Sequence, residues 1–130
     1  MVIEFKDPPE APPPAANYRN LAIVAPGKKL LVISGQIGNR MDGEIIEGLE
    51  AQYEQALSNI NAIVASEGGS SIDIAKITIF LTEEPLERSL IGEANRKHFP
   101  HGPPAMSWIR VAGLFRPEVK VEVEAIAAVD

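Results

Sequence analysis

Hydrophobic residues recur along this 130-residue chain at two spacings, and the switch between them marks out the elements. Leu49, Tyr53, Ala56, Ile60 and Ile63 return at steps of four and three, which predicts a helix with one apolar stripe. Gln52, Gln55, Ser58, Asn59 and Asn61 fall mostly off that stripe, and Gly68-Gly69 supplies a left-handed stop. Elsewhere the period is two. In the predicted strand Ile74–Leu81, Ile77, Ile79 and Leu81 share one face and Lys76, Thr78 and Phe80 the other. In the last strand, about 119–128, Val119, Val121, Val123, Ala125 and Ala127 make an apolar face. Lys120, Glu122, Glu124 and Ile126 make the other, as in a half-buried antiparallel strand. Leu21–Ala25 and Leu30–Gln36 flank the turn signal Pro26-Gly27-Lys28-Lys29 and read as a hairpin. A second helix opens near Pro85, repeats Leu86, Leu90 and Ala94, and ends at Phe99-Pro100. A further strand is expected over about 105–112.

The resulting order is strand, strand, helix, strand, helix, strand, strand. It predicts an α+β fold, a mixed and mainly antiparallel sheet of five or six strands with two helices on one face. Two helices leave the other face bare. Met106 and Trp108, beside Ile126, are assigned to that bare face, with Arg110 on the same side of its strand. Apolar groups of this size mark an interaction surface, so the chain is expected to associate with copies of itself and to form clefts at the seams.

Composition narrows the class. Hydrophobic residues make up 45% of the chain, which excludes disorder, and the length suits one core and hence a single domain over residues 1–130. Five prolines in 7–14 make that stretch an extended arm. A net charge of −6 argues against nucleic acid as a partner. No apolar run approaches the ~20 residues of a membrane span, and the acidic, proline-rich start does not resemble a signal peptide. With no cysteine there is no thiol nucleophile or thiolate metal site, and the expected location is cytoplasmic. His98 and His101 stand three apart, but no carboxylate joins them in the segment and Pro100 interrupts a helical pose; no metal or other cofactor is expected.

Ser34-Gly35-Gln36-Ile37, Asp42-Gly43-Glu44-Ile45, Gln52, Asn59, Gly68, the run Ile74–Leu81, Pro104-Ala105 and Val121–Ala127 together resemble the YjgF/RidA family in the right order. The likeness spans roughly residues 15 to 128. It implies a chorismate-mutase-like fold assembled as a homotrimer with ligand clefts between subunits. For the better-known branch it implies hydrolysis of enamines and imines made from amino acids by pyridoxal-phosphate enzymes. An endoribonuclease activity also attaches to the family; the acidic charge and the missing catalytic histidine pair argue against it here.

In that branch an arginine after Pro-Ala holds the substrate carboxylate, a glutamate of the last strand positions water, and a tyrosine near the N-terminus and an asparagine of the second helix line the cleft. The resemblance carries the glutamate to Glu122, the candidate catalytic residue, and the tyrosine to Tyr18. Ser34 and Gly35, in the motif that opens the likeness, are further candidates for ligand contact. The asparagine falls at Gly92 and is absent, Asn95 lying one turn on. The arginine falls at Met106, and a small residue two positions later at Trp108. Methionine cannot donate the paired hydrogen bonds of a guanidinium, and losing a buried charge partner costs ~2–5 kcal/mol. Met106 and Trp108 therefore suit a flatter, more apolar ligand, or else simply fill a closed cleft. If the last two strands pair, Arg110 sits opposite Glu122 as a structural ion pair; the sharper reading makes Arg110 a displaced anion holder.

Three functions follow as expectations. The first is a trimer of a branch lacking the arginine that binds a small organic metabolite in an inter-subunit cleft. The second is a retained 2-iminobutanoate/2-iminopropanoate-type deaminase using Glu122 and water. The third is a non-enzymatic, chaperone-like scaffold.

Overall fold

The computed structural model describes residues 2–130. Six strands and two helices follow in the order β1 (Ile3–Lys6), β2 (Leu21–Val24), β3 (Lys29–Gln36), α1 (Leu49–Ser66), β4 (Ile74–Leu81), α2 (Arg88–His98), β5 (Ala105–Arg110) and β6 (Val121–Val129). The strands divide into a four-stranded sheet, β3-β6-β4-β5, and a separate two-stranded one, β1-β2. Two helices on a mixed sheet make the fold α+β, as the periodicities predict.

The long apolar face of β6 makes it a central strand, antiparallel to β3 on one side and β4 on the other. Val121, Val123, Ala125 and Ala127 are buried beneath the helices, and the two alanines leave room for α1 to come close. Its stripe is Leu49, Gln52, Tyr53, Ala56, Leu57, Ile60 and Val64; Ile63, expected inside, is partly exposed. The helix stops where Gly68 takes a φ of 83°. In α2 the buried positions are Ile91 and Ala94, while Leu86 precedes the helix and lies in solvent.

Strand pairing departs from the sequence reading in two places. β2 pairs with β1, and not with β3; Ile3↔Val24 through Lys6↔Leu21 form that ladder. Gly27, at φ 77°, makes the expected turn, but a turn signal does not say what its flanking strands will pair with. The proline arm runs along the body: Asp7 accepts from the Asn20 amide at 2.8 Å and from Arg19 Nε at 3.2 Å. Second, β5 is parallel to β4 and does not touch β6 in the sheet, since α2 carries the chain over to the edge beyond β4.

That second difference moves the faces. Register partners Ile77↔Met106 and Ile79↔Trp108 share a side, so Met106 and Trp108 lie on the helix-covered face and not on the bare one. Arg110 pairs in register with Leu81, far from Glu122, whose partner is Phe80. A bare face exists all the same. It carries Leu30, Val32, Ile109 and Ile126, which are 57, 78, 42 and 41% exposed.

Gln52 holds the site end of the molecule together. Its side chain is buried; Nε2 donates to the carbonyls of Ile46 and Glu118, and Oε1 accepts from the Lys120 amide, each at 2.8 Å. Gly38 lets the loop reach α1 there, because a methyl group on it would overlap the Gln52 backbone. Replacing Gln52 by leucine removes three part-buried hydrogen bonds to the backbone, for an expected loss of about 3 kcal/mol in urea unfolding. A loss below ~1 kcal/mol would show that the loops rearrange to replace them.

Candidate functional site

Residue Arg19 forms an isolated parallel bridge with Ala105, its amide donating to the Pro104 carbonyl at 3.2 Å. This contact lays Tyr18 beside the start of β5. Tyr18, Met106, Trp108 and Arg110 accordingly line one cleft of about 460 Å³, with Ile91, Gly92 and Asn95 of α2 as its opposite wall. Four of the sequence-derived candidates thus come together.

At the base, Met106 is buried and the Trp108 indole N–H donates to its sulfur at 3.4 Å. The Trp108 ring lies 5.4 Å from the ring of Tyr53, tilted by 41°. Tyr53 is fully buried, and loss of solvent pushes its phenol above the ordinary tyrosine range, so it is a neutral donor. It donates to Asn95 Oδ1 at 2.6 Å. This bond turns the donor end of the Asn95 amide away from Tyr53. Asn95, set aside in favour of Gly92 on sequence grounds, is therefore a cleft residue held in place by α1. Its signal was present in the spacing: Ile91 and Asn95 stand one turn apart on the same helix.

The mouth is charged. Arg110 Nη1 donates to Glu84 Oε1 at 2.6 Å, and Arg88 Nη2 to Glu84 Oε2 at 2.9 Å. The cross-strand pair expected between Arg110 and Glu122 is replaced by this one, because β5 and β6 are not neighbours. All three side chains are more than half exposed, so the pairs add little to stability. Arg88 and Glu84 were not among the sequence candidates; at a spacing of four they read as an ordinary surface pair.

Ser34, Gly35 and Glu122 lie elsewhere, on the bare face. Between Ile33 and Gln36, β3 carries one residue more than β6 does opposite, and this bulge contains Ser34 and Gly35. The Glu122 side chain occupies the space a Gly35 methyl would take. Within one chain these residues do not reach the cleft. His98 has a structural part: its Nε2 is 2.9 Å from Glu54 Oε1 and its Nδ1 is 3.3 Å from Asn61 Nδ2. Among the described residues no three acidic, histidine or cysteine groups gather as a metal site.

Residues 8–129 match the family described as Endoribonuclease L-PSP. The chain belongs to the Endoribonuclease L-PSP (YjgF/RidA) family. It is 35% identical over 106 residues to the 2-iminobutanoate/2-iminopropanoate deaminase of Escherichia coli K12, covering 75% of this chain and 78% of that one. A crystal structure of E. coli TdcF with bound serine is 31% identical, with a TM-score of 0.69 over 98% of this chain and 99% of that one. The Rid-family protein YyfB of Yersinia pestis superposes with a TM-score of 0.87 over 99% of this chain and 100% of that one; at 23% identity it bears on the fold alone.

Two nearby glycines, one in the β3 bulge and one in the loop that follows, give a contrasting test. The atoms a Gly35 methyl meets are the tip of a flexible side chain, whereas at Gly38 they include backbone. Gly35→Ala should shift the unfolding free energy by less than ~1 kcal/mol and swing Glu122 aside; Gly38→Ala should cost ~3 kcal/mol or more. Urea melts of both, with a crystal structure of the first, check this. Equal costs would contradict the geometry.

Proposed function

We propose that this protein binds a small, largely apolar organic molecule in the cleft at Met106 and Trp108, and that the cleft is completed by a neighbouring copy in a homotrimer. Amino-acid imine hydrolysis, the activity named for the E. coli relative, is not its main reaction. The observation that carries this reading is the base of the cleft. The position that the resemblance assigns to the carboxylate-binding arginine holds Met106, whose sulfur is already engaged by the Trp108 indole. No group there can form the paired, charge-assisted hydrogen bonds that a short amino-acid carboxylate requires. The walls instead offer a thioether, an indole and the side chains of Leu81 and Ile91.

Completion by a second copy is supported by the split between the two groups of candidates. Tyr18, Met106 and Trp108 line the cleft, whereas Ser34, Gly35 and Glu122 face away from it on a surface that also exposes Val32 and Ile126. Packing that face against the cleft edge of another chain would bring Glu122 to a ligand and cover the apolar patch together. Glu122 would then be the general base for any hydrolytic step, accepting a proton from water.

An assay that generates 2-iminobutanoate in place should show no acceleration above buffer, and Met106→Arg should introduce it, with circular dichroism confirming that the variant folds. Wild-type turnover at the level of the E. coli relative would overturn the reading. For the assembly, sedimentation should give a trimer, and Val32→Glu combined with Ile126→Glu should give folded monomers. A monomeric wild type would remove the second copy from the site.

A further inference from the structure

We propose that the anion-binding function missing at position 106 has moved to the mouth of the cleft, where Arg110 and Arg88 hold the acid group of an aromatic or bulky apolar carboxylic acid. The inference rests on the preceding reading of the cleft as a small-molecule site and narrows its ligand. Three observations carry it. Arg110 is freed from Glu122 by the β4–β5 pairing, and it lines the cleft together with Arg88. Both guanidinium groups meet at a single carboxylate, Glu84, so the mouth retains one uncompensated positive charge. Each guanidinium has five N–H donors, and each spends one on Glu84 at 2.6 and 2.9 Å, which leaves a fork for an incoming anion.

Strand geometry sets the size of the ligand. Trp108 and Arg110 are two residues apart on β5, a rise of about 7 Å, and both side chains point to the same side. A ligand that touches both side chains therefore bridges roughly this Cα spacing, more than a two- or three-carbon acid extends. A ring on a two-carbon tether fits this span, and its face can stack on the exposed part of the indole. Asn95 lines the same cleft, and with its amide oxygen taken up by the Tyr53 hydroxyl its N–H2 group is left without a partner among the described residues and available to such a ligand. The selected class is an arylalkyl carboxylate, and short aliphatic acids are disfavoured because they cannot touch Trp108 and Arg110 at once.

Trp108 is the chain's one tryptophan, so its fluorescence reports directly on the cleft. The experiment titrates full-length protein with 3-phenylpropionate, its neutral amide 3-phenylpropanamide, and propionate. Expected is a saturable change with 3-phenylpropionate, with at least tenfold weaker binding of the amide and none of propionate. Arg110→Gln should reduce the acid's affinity about tenfold and leave the amide unchanged, so that the preference for charge disappears. Arg88→Gln should act in the same direction. Both residues are exposed, and far-UV circular dichroism verifies that the variants fold. Equal binding of acid and amide, or an acid affinity indifferent to Arg110, overturns the anion holder while leaving the apolar cleft intact. No response to any aromatic probe overturns the cleft reading as well.

Discussion

The parallel pairing of β5 with β4 is the constraint on which the site depends. Residues alternate between faces along a strand, so a slip of one position would exchange Met106, Trp108 and Arg110 for Ser107 and Ile109. The observed register is held from both sides of the sheet. On the helix side Met106 and Trp108 pack beside Ile77, Ile79 and Tyr53; on the bare side Lys76 Nζ donates to Ser107 Oγ at 2.8 Å. The Val111 amide continues the ladder to the Leu81 carbonyl at 2.8 Å, which carries Arg110 to the end of the strand beside Glu84. One choice of partner thus fixes the apolar base, the charged mouth and the distance between them.

Much of the fold was legible because periodicity is local. The apolar faces of β4 and β6 and the stripe of α1 can be read from residues a few positions apart, and the structure buries nearly all of them. Pairing is not local. Nothing near Leu21 says that its partner is Lys6, and nothing near Val111 says that the chain has already crossed to the outer side of β4. Placing the last two strands together sets Arg110 opposite Glu122 and puts Met106 and Trp108 on the bare face beside Ile126; Ile126 does lie there, but with Val32 and Ile109 as its apolar companions. Gln52 shows another limit: a polar side chain in an apolar stripe reads as surface until its three backbone partners, distant in sequence, are seen.

The candidate site divides along the same line. Tyr18, Met106 and Trp108 were found through resemblance, and the fold brings them together; Ser34, Gly35 and Glu122 were found in the same way and lie on the other side of the sheet. The bulge explains why the second group nevertheless forms a unit. It sets Gly35 under Glu122, and the absent side chain leaves space for the carboxylate. Asn95 is passed over for Gly92, and Arg88 and Glu84 give no sign at all, because the significance of all three comes from what they face across the cleft, which a single sequence does not state.

The proposed placement of positive charge at the mouth, and not at position 106, would also change the energetics of an empty cleft. A guanidinium at Met106 would sit against Trp108 in a place that is buried, where an unpaired charge costs several kcal/mol unless a ligand neutralises it. Arg110 and Arg88 remain largely hydrated and share Glu84, so the unliganded protein bears little of that cost. On that proposal the grip on any one anion would be weaker, because exposed pairs are screened. More of the binding free energy would rest on apolar contact with Trp108 and Met106. A cleft arranged in this way would discriminate first by the shape and surface of the ligand body and only second by its charge.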